Sequence, residues 1–460
     1  MKKLLAIFLL AVMILSTACT SAPELMSFIE EADLNNLKDV ELNWLYKLVD
    51  GTNVSYTVDT PQYDALLKRV KEIENSLGCT IKTKIEQHGD ALINVDFELM
   101  AGTLIYDTVL FAGDPDSYKG DLYYPITDFS EYIDWTDSEK YGNKQYLEAS
   151  MYKGVPYSVS PMYWPGFDGV GLFVAAYNRD LFKQNNLTDL HEYYEQGTWT
   201  YDTFRNEFIA NVTIDTASEV PMYALQTDQP DFYQALVYSN NVKFIEEAED
   251  GTLIPTPYPQ SFVNAMTWGQ NLISDYKEVI LYDSDTYELE EYTRGEIFVA
   301  FAPSTAVTTG KIAYNENSTF DSGVMPLPCG PDATYGEWGQ CVQGSHGFSI
   351  PVTTENPEAA AMFINLICEP LVGFEDPTAF YNMIFEDETD LEIYMQLGKN
   401  SRYDYTHVGD KSLGRQVGEG FGNAVCKGSS LTERMESYRN TMTTLVEDWM
   451  MPNYKTVYGE

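Results

Sequence analysis

Apolar positions recur along this chain with two different spacings, and the switching between them sets the expected fold. Val40, Leu42, Trp44, Tyr46 and Leu48 fall on every second position, the period of a strand. Thr60 and Pro61 then make an N-cap and a first helical turn, after which Tyr63, Leu66, Leu67, Val70, Ile73 and Leu77 repeat at helical spacing until Gly78. Residues 80–85 read as the next strand. The unbroken run Thr108-Val109-Leu110-Phe111 reads as a fully buried one, ended at Gly113-Asp114-Pro115. The same grammar returns around 169–176, 201–210, 261–273, 297–302 and 347–350. Asn356-Pro357 caps a helix with Ala360, Phe363, Ile364 and Ile367 on one side, stopped by Pro370. Strands alternating with helices predict an α/β fold with parallel pairing.

The N-terminus has a different pattern. Lys2 and Lys3 precede an apolar run over 4–15, too short to cross a bilayer comfortably, followed by Ser16-Thr17-Ala18-Cys19. Small residues beside a cysteine resemble a bacterial lipobox, with Ser16 where that motif usually has Leu. Residues 1–18 are therefore expected to be a signal peptide and Cys19 the lipidated residue. Residues 19–36 form an acidic, polar tether of roughly 20 Å reach. No later apolar run is long enough to span, so the mature chain is expected outside the cytoplasm, held at the membrane by its lipid.

At 460 residues the chain exceeds what one hydrophobic core usually organises, and two lobes are the default expectation. The 70 acidic against 28 basic residues, a formal charge of −42, exclude a nucleic-acid or anionic-membrane binder. The acids are scattered along the chain and serve solubility, although they keep a cationic ligand open. Aromatic residues make 14% of the chain, and flat amphipathic rings suit ligands with apolar faces and hydroxyl edges. With four histidines and no CxxC spacing there is no zinc-site pattern, and nothing implies a metal or cofactor. Cys329 and Cys341 flank a Gly-rich loop, and the sequence leaves open whether they bridge.

Three ordered segments resemble the family 1 extracellular solute-binding proteins, the group containing the maltodextrin binders. The first holds Lys153-Gly154-Val155-Pro156-Tyr157, then Tyr177-Asn178-Arg179-Asp180-Leu181-Phe182, then Thr198-Trp199-Thr200-Tyr201-Asp202-Thr203-Phe204. The second is Arg294-Gly295-Glu296-Ile297-Phe298-Val299-Ala300. The third runs from Gly323-Val324-Met325-Pro326-Leu327-Pro328 through Gly347-Phe348-Ser349-Ile350-Pro351 to Asn356-Pro357-Glu358-Ala359-Ala360. The resemblance implies a two-lobed periplasmic-binding-protein-like fold of type II. Each lobe is expected to be a mainly parallel sheet flanked by helices, with the ligand held in the cleft between them. Lobe 1 is assigned 37–158 and 303–370, and lobe 2 is assigned 159–302 and 371–460. The crossings are placed near 156–174 and 302–307.

A sugar needs rings over its C–H faces and carboxylates or amides on its hydroxyls, and such residues are sought at strand ends. Phe111 and Asp114 end a buried strand where the family loop carries an aromatic and an acid; the alternative is a core ring and a turn-capping acid. Trp44 lies near the cleft end of the first strand by analogy, or is an ordinary core residue. Tyr163, Trp164, Phe167 and Asp168 cluster three rings and a carboxylate in a crossing rich in Gly and Pro, and would line the cleft. Asp228 and Phe232 occupy the place where maltodextrin binders present an acid and aromatics from the second lobe, or form a turn before a helix. Trp338 reaches the cleft or covers the lobe surface. Trp199 belongs to structure, and Ser304 stands where relatives often have Trp.

The expected function is capture of a small oligosaccharide, without chemical change, by a monomer that delivers it to the permease of an ABC importer. A secreted glycoside hydrolase would use the same rings and acids, but no local motif singles out a carboxylate pair. No GxSxG elbow is present. A surface sensory or adhesion module is the third class, and peptide and polyamine binders share the architecture.

Overall fold

The computed structural model describes residues 37–48, 61–87, 91–112, 122–142, 147, 151–164, 173–212, 214, 221–227, 229–248, 252–282, 289–303, 320–337, 340–342, 346–376, 378–403 and 431–459. The expected signal peptide, Cys19 and the expected tether lie outside the described residues.

In chain order the strands are β1 (Glu41–Leu48), β2 (Thr80–Gln87), β3 (Thr108–Ala112), β4 (Met151–Tyr152), β5 (Val155–Pro156), β6 (Phe173–Asn178), β7 (Tyr223–Thr227), β8 (Ile245–Glu247) and β9 (Leu253–Pro255). They continue with β10 (Ile280–Tyr282), β11 (Ile297–Pro303), β12 (Ser322–Met325), β13 (Gln340–Val342), β14 (His346–Ser349) and β15 (Ser401–Tyr403). The first principal helices are α1 (Pro61–Leu77), α2 (Ala91–Met100), α3 (Arg179–Gln184), α4 (Leu190–Glu195), α5 (Gln229–Ser239) and α6 (Gln260–Tyr276). The later ones are α7 (Pro357–Ile367), α8 (Glu388–Asn400), α9 (Arg439–Leu445) and α10 (Met451–Tyr458).

Two sheets organise these elements. The first has the order β14-β3-β1-β2, with β1 parallel to β2 and β3, and β14 antiparallel to β3. The second has the order β10-β7-β11-β6-β12, with β7 parallel to β10 and β11, and β6 antiparallel to β11 and β12. Both sheets are mixed: the first is mainly parallel as expected, and the second has parallel and antiparallel pairs in equal number. Parallel pairs come from local strand–helix–strand units such as β1-α1-β2. The chain enters β6 after leaving the first sheet and enters β14 after leaving the second, from the end where the parallel strands finish, so both strands run against their neighbours.

The expected α1 is present over Pro61–Leu77 and ends at Gly78, whose φ of +69° suits glycine. Leu66, Val70, Ile73 and Leu77 are buried as the spacing predicts, while Leu67 stays exposed. On β1, Leu42 and Trp44 enter the main core and Leu45 enters a second core with Val95, Leu99, Leu104 and Val109. Both faces of that strand are covered, so its apolar residues are not confined to alternate positions. Helix α7 departs from the one-sided expectation: Ala359 through Ile367 are all buried. Its polar Asn365 accepts from Tyr141 Oη and Lys140 Nζ, both at 2.7 Å, which satisfies an amide inside an apolar layer.

Strand β12 pairs with β6, and the segment after it stays with the second sheet, where Trp199 Nε1 donates to Pro326 O at 2.8 Å and Cys329 N donates to Trp199 O. Strand β14 then pairs with β3 of the first sheet, and most of the expected crossing at 302–307 lies outside the described residues. At the first crossing, Val159 exchanges backbone bonds with Phe348 of β14, which keeps the chain on the first sheet beyond 158. Cys329 is a buried free thiol that donates to Gly330 O, and burial pushes it up to about 11.

Candidate ligand-binding site

The C-terminal ends of β7, β10 and β11 lie side by side, because these strands are parallel neighbours or share one. Thr227 pairs with Tyr282, the last residues of β7 and β10. The last residue of β11, Pro303, pairs with Phe173, the first of the antiparallel β6. One edge of the second sheet therefore gathers three strand ends and one strand start, the kind of edge at which open α/β sheets bind ligands. In the first sheet, β3 ends at Ala112 opposite His346. Asp114 follows that end by two positions, Asp228 follows Thr227 directly, and Phe167 and Asp168 precede Phe173 by six and five. These four residues and Trp338 lie outside the described residues, as does the side chain of Phe111, whose backbone pairs with Gly347.

Three other expected ligand contacts sit in the core. Trp44 is 0% and Trp164 1% exposed, and both pack on Phe348, with ring centroids 5.9 and 5.7 Å away. Trp164 Nε1 donates to Ile367 O at 2.8 Å, so the ring is locked against α7. Phe232 is 0% exposed, stacked toward Phe301 at 6.3 Å on the underside of α5. A ring with no open face has none to lay on a sugar, so these three are packing residues. Pro and Gly in the Trp164 segment do not make the whole of it a loop. The part of it before Pro165 is clamped by backbone bonds from Met162 to Lys140 and from Trp164 to Pro161. Tyr163, its neighbour, is half-buried. Burial, then the carboxylates of Asp137, Glu139 and Glu369, raise its phenol above the ordinary range, so it stays a neutral hydroxyl donor.

Tyr282 is the ring that sequence reading missed. It is half-buried at the converging edge, beside Thr227, and its ring meets Phe232 edge-on at 6.5 Å. A tyrosine ending the short apolar run Ile280-Leu281 and followed by Asp283 was the available signal. Below Thr227, Gln226 is fully buried and donates through Nε2 to Glu291 Oε2 at 3.0 Å.

The densest group of buried charges lies at the opposite edge. Strand β6 ends at Asn178, and the next residue, Arg179, fans its guanidinium over Asp390, Asp321 and Ser322 O. His191 Nε2 lies 3.0 Å from Asp390 Oδ1. This group joins α3, α4, β12 and α8 and stands a full strand length from the gathered ends of β7, β10 and β11, so it serves the fold. Among the described residues no cluster of His, Cys, Asp and Glu could hold a metal ion, and no helix is long and apolar enough to cross a membrane.

Comparison with solved structures returns the same architecture. An ABC substrate-binding protein from Listeria monocytogenes, solved with cycloalternan, superposes with a TM-score of 0.60 at 14% identity, over 89% of this chain and 100% of that one. The GacH receptor of Streptomyces glaucescens, solved without ligand and with acarbose, gives 0.61 at 13% identity, over 89% and 99%. The sugar-binding protein MalE from Xanthomonas citri gives 0.59 at 11% identity, over 88% and 97%. These likenesses establish the two-lobed fold. A search of the curated proteins gives no match. The family profile described as bacterial extracellular solute-binding protein matches residues 68–373, two thirds of the sequence, and the chain belongs to that family.

Proposed function

We propose that this protein is the extracytoplasmic binding component of an ABC importer, a monomer lipidated at Cys19 that holds a small oligosaccharide between its lobes and passes it on unchanged. The observation that carries the reading is the shared edge of β7, β10, β11 and β6, where Tyr282 stands beside Thr227 and the sequence next supplies Asp228, Phe167 and Asp168. Half-buried rings next to carboxylates are the chemistry a sugar requires. Phe111, Asp114, Tyr163 and Trp338 complete the proposed site from the first lobe and from the loop before β13. Cycloalternan and acarbose in two of the relatives point the same way.

The test is a thermal-shift screen over oligosaccharides, peptides and polyamines. A ligand at a hundred times its dissociation constant adds about 2.7 kcal/mol of stability. A stabilising oligosaccharide, recovered intact and bound at least tenfold more weakly by Tyr282→Ala, supports the proposal. Stabilisation by a polyamine or a peptide alone overturns the sugar, and release of shorter sugars by the pure protein turns the reading to a glycoside hydrolase.

A further inference from the structure

The last described helices form one rod whose two ends belong to different lobes. Helix α9, a π-turn over Val446–Met450 and helix α10 follow without a break, and the joint residues Val446 and Met450 both keep right-handed helical backbone angles.

One end is bonded to the hairpin β4–β5. Asn453, fully buried on α10, accepts from Gly154 N at 2.7 Å and donates through Nδ2 to Met151 O at 2.9 Å. The hairpin turn needs positive φ at Lys153 (52°) and Gly154 (77°). A Cβ on Gly154 would stand 2.5 Å from Thr456 Oγ1 and 3.0 Å from Pro452 O, so turn and rod interlock. That hairpin travels with lobe 1. Tyr152 and Tyr157 pack on the second core, built from β1, β3, α2 and the segments beside them, and Val159 is bonded to β14.

The other end rests on lobe 2. Helix α9 and the π-turn pack against β9. The hairpin β8–β9 hangs on the second lobe through Thr256 N bonded to Phe244 O and through Phe244 packed on Phe262, 5.4 Å between ring centroids. The π-turn itself touches both β4 and β9.

We propose that this rod is a strap that limits how far the two lobes part, with the π-turn as its joint. The inference rests on the two-lobed binder described above but not on the identity of its ligand. A π-turn carries an extra residue and weakened axial bonding, and Pro452 just after it removes a further backbone donor. The compliant stretch thus lies between the two anchors, where a closing motion would be absorbed. Parting the lobes pulls β4 away from β9, and the rod must bend or let go at Asn453. Limiting the open population favours the binding-competent arrangement, because apparent affinity scales with its fraction.

The test uses the full chain without ligand, so that a wrong guess about the sugar leaves it readable. Asn453→Ala removes both bonds to the hairpin, Asn453→Asp keeps the acceptor and loses the donor, and Gly154→Ala pushes the turn off the rod. Small-angle scattering should show a larger radius of gyration for Asn453→Ala and Gly154→Ala, a smaller increase for Asn453→Asp, and helical circular dichroism unchanged in all three. An unchanged radius of gyration in the variants that fold overturns the strap. So does loss of the helical signal in all three, since the rod would then be an ordinary part of the packed fold.

Discussion

Arg179 Nη2 donates to both carboxylate oxygens of Asp390, each at 3.0 Å, although the two residues are 211 positions apart. Asp390 is fully buried, and its Oδ1 also accepts from Val324 N at 2.8 Å. This pair fastens α8 to the far edge of the second sheet. A buried carboxylate is tolerated only with such partners, and removing one leaves the other charge uncompensated. Asp390→Ala should therefore lower stability by about 3–5 kcal/mol, read as a shift in the urea midpoint with the slope unchanged.

His191 stands in the same cluster, and its pKa reflects two opposed effects. Burial lowers it, but the hydrogen bond and charge of Asp390 outweigh burial, and the net displacement is upward from 6.5. A group with a raised folded pKa contributes stability that is complete below its unfolded value and disappears as pH rises through the folded one. Melting temperature should fall as pH rises above 6.5, and His191→Gln should flatten that part of the profile while leaving the acid limb in place.

Trp164 decides between a ligand wall and a core. With its ring against Trp44 and Phe348 and its indole bonded to Ile367 O, Trp164→Ala should cost the ligand-free protein about 3–5 kcal/mol. Calorimetric melting of the ligand-free variant checks it; a melting temperature close to that of the parent would return the ring to the ligand site.

Gly323 is required by a close approach. A Cβ there would lie 2.1 Å from Tyr177 Cε1, and that ring is held by the bond from Tyr177 Oη to Asp189 at 2.6 Å. Gly323→Ala should destabilise by about 1–3 kcal/mol as the ring is driven off its acceptor, measurable by denaturant unfolding. A variant as stable as the parent would show that the ring yields freely.

Cys19→Ala should release the protein from membranes, because the lipid proposed at Cys19 is its anchor. Fractionation after a high-salt wash checks it, and a variant that still sediments with membrane removes the anchor from the proposal.

Local pattern alone located much of the secondary structure. The helical repeat from Tyr63 to Leu77, closed by Gly78, and the apolar run at 108–111 are short-range signals. The helix satisfies its backbone within its own segment, the strand finds its partners in β1 and β14, and both show their buried positions in the order of their residues. The ordered motifs from Lys153 to Ala360 likewise pointed to the family that the profile match establishes. What only the tertiary structure decided depends on partners far apart in the chain. Apolarity cannot tell a ring on a cleft wall from a ring in a core, and Trp44 and Trp164 became core residues because Phe348, Phe363 and Ile367 close around them. The same holds for β12, whose place in the second sheet follows from pairing with β6 about 145 residues earlier, and for Tyr282, brought to the converging edge by Thr227. Burial and strand order are set by long-range pairing, and a residue's neighbours in sequence carry little of it.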